Sequence, residues 1–290
     1  MVKQTQKKKK IFHKLNCAPS KKNKLKFTCY EKGDIYDFKE LWNNNNPYNK
    51  IISNDPHIIW KKLKRKLSNV CTNEKCWLAQ NFLDNNYNKK LIYKLFSPKM
   101  PKTWLGNINT WLSSKDIINL MEQYEKSYKN FKFIGPSPID FDTKMNTGNC
   151  VWEELCKLNL YNYYKKKIYK IGIILNLDTH EKGGSHWVAN FIDLKNKYIF
   201  YFDSNGVNIP RPVKILNERL IEKFRTDSNI KLTPYVNRLQ HQYKDGTCGI
   251  YALYVLIQLL SEQSTPLYLM KNRIPDLLMQ NMRFKYYNKY

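Results

Sequence analysis

Four side chains in the C-terminal half have the types and order of a thiol-dependent hydrolase: His186, Asp203, Gln242 and Cys248. A thiolate at Cys248 can attack a carbonyl carbon while His186 accepts and returns the proton. Asp203 can orient the imidazole and stabilise its charged form. The side-chain amide of Gln242, with the backbone N–H of Cys248, can hold the oxyanion that forms on attack. Competing assignments fit less well. His180 lies in a loop, is followed by Glu-Lys, and has no suitable partner seventeen residues on, the interval that separates His186 from Asp203. Asp193 falls inside a strand pattern and should alternate away from a base at the strand's start, and His241 should alternate away from Gln242.

These residues need particular elements to bring them together. Residues 250–260 are apolar except for Gln258 and read as a buried helix with Cys248 at its N-terminus, where the positive end of the helix dipole favours a thiolate. Asp245-Gly246-Thr247 is loop text for a tight approach to that helix. Residues 167–177, 187–194 and 197–202 are rich in Ile, Val, Phe and Tyr and predict three strands, with Lys195-Asn196 as a two-residue hairpin turn. That hairpin would set His186 and Asp203 beside one another at one sheet edge. A fourth strand is expected over 232–239, and a helix over 213–224 opened by Pro212. Upstream, Ser113 or Ser114 can cap a helix whose apolar face is Ile117, Leu120, Met121 and Tyr124. Gly135-Pro136-Ser137-Pro138 reads as an interruption before a further helical pattern through Val151, Trp152 and Leu155.

The first hundred residues differ in character. Residues 1–26 form a basic arm broken by Pro19, followed by a small helical domain with Phe38, Leu41 and Trp42, then Ile58, Ile59, Trp60, Leu63 and Leu67, at helical spacing. We place the boundary at residue 100, giving an arm and helical domain over 1–100 and a catalytic domain over 101–290. Fifty basic against 24 acidic residues give a formal charge of +26, and the lysines at 7–10 are the best local candidate for DNA or another polyanion. The parallel enrichment in Asn, Ile and Tyr, which A/T-rich codons favour, discounts part of that charge. Seven cysteines without regular spacing point to free thiols and a reducing, intracellular compartment. A zinc site from Cys17, Cys29, Cys71 and Cys76 is the less favoured reading, so no metal or cofactor is expected. No secretory signal or membrane-spanning run is expected either.

The order His186-Trp187, Asp203-Ser204, Gln242 and Cys248-Gly249 resembles the ubiquitin-like-protein (SUMO-type) protease clan of cysteine peptidases, over about residues 104–262. Trp111-Leu112 is similar to the clan's Trp-Leu-x-Asp motif, with Ser114 where the Asp would stand. Within the clan, His241-Gln242, the Pro138-x-Asp140-Phe141 stretch and an added N-terminal domain with a Cys-x4-Cys segment look like the African swine fever virus polyprotein protease and its giant-virus relatives. The resemblance implies an α+β, papain-like or SUMO-protease-like core: a central mixed sheet packed by helices, with the nucleophile at the N-terminus of a buried helix. It further implies cleavage after Gly-Gly in Gly-Gly-x sites of viral core polyproteins during virion maturation, in the virion and the host cytoplasm. Trp187 and Trp111 would be walls of a cleft that admits glycine alone. The alternatives are a deSUMOylating or deubiquitinating enzyme of the same chemistry, and a basic scaffold on an inactive protease fold. Gly183-Gly184-Ser185 is itself a Gly-Gly-x sequence, read here as a flexible loop.

Overall fold

The computed structural model describes residues 11–20, 25–80 and 91–289. The lysines at 7–10 and the Asn- and Lys-rich connector at 85–90 lie outside them. The chain divides into two compact units, Met1–Lys99 with Tyr286–Tyr290, and Met100–Lys285. The C-terminal residues 286–290, expected in the catalytic domain, therefore group with the first unit.

In the first unit, α1 (Lys32–Asn45) and α2 (Pro56–Lys66) form where the apolar spacing is helical. Asp55 caps α2 by accepting from Ile58 N at 2.8 Å, and Pro56 stands where a proline costs no hydrogen bond. The core gathers Tyr30, Ile35, Phe38, Ile59, Leu63 and Trp77. Cys17 is bridged to Cys29 and Cys71 to Cys76, with Cα atoms 5.2 and 5.4 Å apart, within bridging reach. Cys150 is bridged to Cys156 in the second unit. These bridges correct the expectation of free thiols, and with it the argument from cysteine spacing to a reducing compartment. Spacing in sequence does not disclose which loops fold back on one another. Cys248 alone of the seven keeps its thiol.

The second unit is built on a five-stranded mixed sheet, β1 (Phe131–Pro138), β2 (Lys170–Asn176), β3 (Trp187–Asp193), β4 (Tyr198–Phe202) and β5 (Thr233–Val236), in spatial order β1-β2-β3-β4-β5. β1 runs parallel to β2 and β5 parallel to β4, while β2, β3 and β4 are antiparallel neighbours. This is the expected α+β class, with helices on both faces of a mixed sheet. One face carries Ile171, Ile173, Leu175, Val188, Ile192, Ile199 and Tyr201 against Val213, Leu216, Leu220 and Phe224. The last four belong to α6 (Arg211–Ser228), after α3 (Ser114–Ser127) and the short α4 (Glu153–Cys156) and α5 (Leu160–Lys165). The other face receives α7 (Cys248–Leu260), buried almost all round. Gly172 faces it, because a side chain there would meet Leu256 Cδ1 at 3.1 Å.

Two local expectations are corrected. The segment around Gly135-Pro136-Ser137-Pro138 is the end of edge strand β1, not an interruption, and its register shifts between Ile134 and Ser137. An edge strand with an irregular register tolerates prolines, whose missing N–H groups would break an interior ladder. The β3–β4 connection spans four residues rather than two, since Asp193 pairs with Tyr198. Asp193 Oδ1 accepts from Lys195 N at 3.0 Å and Asn196 N at 2.8 Å, and Lys197 closes the turn at φ 60°. No helix among the described residues is long and apolar enough to cross a membrane.

Candidate active site

The hairpin delivers the first pair. His186 stands one residue before β3 and Asp203 one residue after β4, and His186 Nε2 lies 2.7 Å from Asp203 Oδ1. Asp203 is 1% exposed. Its Oδ1 also accepts from Asn205 N at 2.8 Å, and its carbonyl accepts from Asn237 Nδ2 at 2.8 Å. A carboxylate so held cannot swing away from the ring. Nε2 being engaged, Nδ1 is the nitrogen left to exchange a proton with Cys248. Burial disfavours the imidazolium, but the hydrogen bond to Asp203 and the interactions with Asp203 and Cys248 outweigh it and raise the ring from 6.5 to about 9.

Cys248 begins α7, and its approach is tight. Gly246 has φ +80°, and a Cβ there would overlap the carbonyl of Asn109. Arg283, fully buried, donates to the Gly246 carbonyl and to Thr110 O at 3.0 Å, so one guanidinium ties the loop before α7 to the 109–110 backbone. A Cβ on Gly249 would meet Trp187 Cδ1 at 3.1 Å and Leu112 Cδ1 at 3.2 Å, so the first turn of α7 lies hard against the indole. Trp187 is held in turn by donating Nε1 to Leu112 O at 3.0 Å. Ser113 caps α3 in a reciprocal box with Asp116, which fixes the 111–113 backbone where the Trp-Leu pair sits.

Gln242 is placed by the strand ends. Its backbone N donates to Ser204 O at 2.9 Å, its Oε1 accepts from Ser204 Oγ at 2.7 Å, and its Nε2 donates to Lys244 O at 2.8 Å. The amide is thus oriented with one N–H committed and the other available to an acceptor. His241, adjoining it, turns away: it is fully buried and packs on Phe202 at 5.0 Å. Burial, then the charge of Arg273, lowers it to about 4, so it stays neutral and its Nδ1 accepts from Ile274 N at 3.0 Å.

Trp111, 44% exposed, and Trp187, 7% exposed, both line a cavity of about 610 Å³ whose wall continues through Pro138, Trp152, His180 and Gly184. His180 does have a partner: its Nδ1 lies 2.6 Å from Asp140 Oδ2, forty residues upstream. The 177–186 loop is not loose. Asn176 Oδ1 accepts from Asp178 N at 3.0 Å and Ser185 N at 3.1 Å, and Gly184 takes φ +93° against the Asn176 amide. Sequence reasoning gave no supporting role to Asn176, at the end of β2, or to Asp140, Asn205 and Asn237, because a strand or turn pattern does not show which polar side chain will hold a neighbouring segment. No group of three or more His, Cys, Asp or Glu side chains among the described residues is placed to hold a metal ion.

Residues 85–290 match the Ulp1 protease family, C-terminal catalytic domain. A putative thiol protease of Acanthamoeba polyphaga mimivirus is 29% identical over 272 residues, covering 84% of this chain and 84% of its own length. The SUMO-1 cysteine protease of African swine fever virus is 25% identical over 232 residues, covering 71% of this chain and 82% of that protein. In fold, a crystal structure of the African swine fever virus protease superposes with a TM-score of 0.66 at 19% identity, covering 95% of this chain and 96% of that one.

Proposed function

The chain belongs to the Ulp1 protease family and is a cysteine protease, and from that premise we propose that it cleaves viral structural polyproteins after Gly-Gly during virion maturation. The observation that carries the site is the 2.7 Å His186–Asp203 pair, with Cys248, whose charge helps raise the ring, at the head of a buried helix. With its proton taken by His186, the Cys248 thiolate attacks the carbonyl carbon of the second glycine, forming the C–S bond and moving the carbonyl electron pair onto oxygen. The Gln242 amide and the Cys248 N–H hold that oxyanion. As the carbonyl re-forms, the C–N bond breaks and His186 gives its proton to the departing amine. A water that loses its proton to His186 then attacks the thioester, releasing the new carboxyl end and the thiol. Asp203 keeps the ring oriented through both halves.

Selection of glycine follows from the two indoles. In this reading Trp187 and Trp111, which line one cavity, wall the path of the substrate toward Cys248 and exclude side chains from it. That the mimivirus and African swine fever virus relatives are proteases of large viruses supports a viral protein as substrate. That the swine fever relative is named a SUMO-1 cysteine protease favours the other reading, release of ubiquitin-like conjugates. The two separate in one experiment: the full chain and Cys248→Ala are given a peptide with an internal Gly-Gly-Ser and a SUMO-type C-terminal conjugate. Wild-type cutting of the peptide with none by Cys248→Ala is expected; strong preference for the folded conjugate moves the substrate to the second reading, and activity retained in Cys248→Ala overturns the nucleophile. The net charge of +26 extends the proposal to a polyanion such as duplex DNA beside the substrate. Binding that weakens steeply with salt is the expected mark, and no binding at low salt removes that partner.

A further inference from the structure

The loop of residues 237–247, which joins β5 to α7 and carries Gln242, has no regular structure, so its backbone donors must find partners elsewhere. The N–H groups of His241 and Gln242 go to Ser204 O. Those of Tyr243 and Lys244 go to a single carboxylate. Tyr243 N lies 3.2 Å from Asp276 Oδ1 and 3.3 Å from Oδ2, and Lys244 N lies 3.4 Å from Oδ1. Asp276 is 7% exposed and opens α9 (Asp276–Tyr286), after α8 (Pro266–Lys271). It is itself held by Arg273 Nη2 at 3.1 Å, and Tyr251 OH, on the second turn of α7, lies 3.2 Å from its Oδ1. Arg273 Nε donates to His241 O at 3.3 Å, and its guanidinium lies 4.3 Å from the centre of the Tyr243 ring.

The connection to Gln242 is direct. Lys244, fixed through its N–H by Asp276, presents the carbonyl that accepts from Gln242 Nε2 at 2.8 Å. We propose that Asp276 is a positioning residue for catalysis, holding residues 243–244 so that the Gln242 amide stays aimed at the oxyanion. The proposal rests on the oxyanion role given to Gln242 above. A donor aimed in advance stabilises the transition state without reorganising, and a donor that must be re-aimed loses most of that benefit. A carboxylate suits the task because it accepts from both N–H groups and the guanidinium at once. An asparagine would turn its NH2 toward one of those donors.

The test uses the full chain and whichever of the two substrates above the wild type turns over. Asp276→Asn, Gln242→Ala and the double variant are compared for kcat, KM, melting temperature and the rate at which iodoacetamide alkylates Cys248. Gln242→Ala is expected to lower kcat about 100-fold, the usual cost of one oxyanion donor. Asp276→Asn should lower kcat about 10-fold with KM unchanged, leave alkylation at the wild-type rate, and add less than about 2-fold in the Gln242→Ala background. An equal loss in both backgrounds, or alkylation falling in step with kcat, would mean general disruption and overturn the proposal. An unchanged kcat in Asp276→Asn would overturn it as well. If Gln242→Ala itself keeps full kcat, the oxyanion reading fails first, and the proposal with it. Should Asp276→Asn lose its melting transition, Arg273→Gln removes the guanidinium donor to the same carboxylate and should show the same pattern at about 3-fold; no effect on kcat there overturns the proposal.

Discussion

At His186 burial and partnership oppose one another, and partnership wins: the ring stays protonated to about 9 although it is largely removed from water. In the proposed mechanism the imidazolium that gives a proton to the leaving amine is therefore the resting form at neutral pH, and the rate should fall on the alkaline side near 9. Asp203→Asn removes the larger raising partner. It should move that alkaline limb toward 6.5 and lower kcat/KM by about 10³-fold or more, as loss of the orienting carboxylate does in related triads. A pH–rate profile of both proteins checks this, and an alkaline limb that stays in place would separate Asp203 from the proton transfer. His186, Asp203 and Cys248 stand out in the sequence because each lies at a strand or helix end whose period is readable, and Gln242 by its place six residues before Cys248. Their supports do not. Asp276 lies 33 residues from Tyr243 and Asp140 forty from His180, and nothing local predicts either contact.

The element on which the site depends is α7 with the loop that enters it. The helix was legible, since eleven nearly unbroken apolar residues have no place but the interior. Its fastening at both ends was not. At the far end, buried Lys170 of β2 donates Nζ to Leu260 O at 3.1 Å, placing a cation where the last carbonyls of the helix concentrate negative charge. At the near end, Gly246 combines a positive φ with backbone occupying the space a Cβ would need. Gly246→Ala must therefore pay both strain and displacement of the 109–110 segment, at about 2 kcal/mol or more. A melting temperature lowered by several degrees, with loss of turnover, is expected. Wild-type stability in this variant would show that the loop relaxes at little cost. The edge strand β1 escaped the sequence because two prolines hid it, and they are allowed there by the shifted register.

For the molecule as a whole, the class of fold came with the family resemblance, and the strand patterns from residue 167 onward agree with it, whereas the disulfides were not legible, because pairing is a property of the folded chain. Stability against pH is likewise a property of the whole, and two histidines shape it in opposite directions. His241 is lowered in the fold to about 4 against an ordinary 6.5. Its contribution is fully present above 6.5 and is lost as pH falls to about 4, on the order of 3 kcal/mol at about 1.4 kcal/mol per unit. His186 is raised to about 9, so its contribution is present below 6.5 and is lost as pH rises through 9. Together they put the stability maximum contributed by these two groups near 6.5. Cys248→Ala removes one of the partners that raise His186 and leaves His241 untouched. Melting temperatures measured from pH 4 to 10 should therefore fall in parallel for wild type and Cys248→Ala on the acid side, and less steeply for the variant on the alkaline side. Identical alkaline slopes would mean that Cys248 does not share in holding the proton on His186, and the thiol would lose its place beside the base.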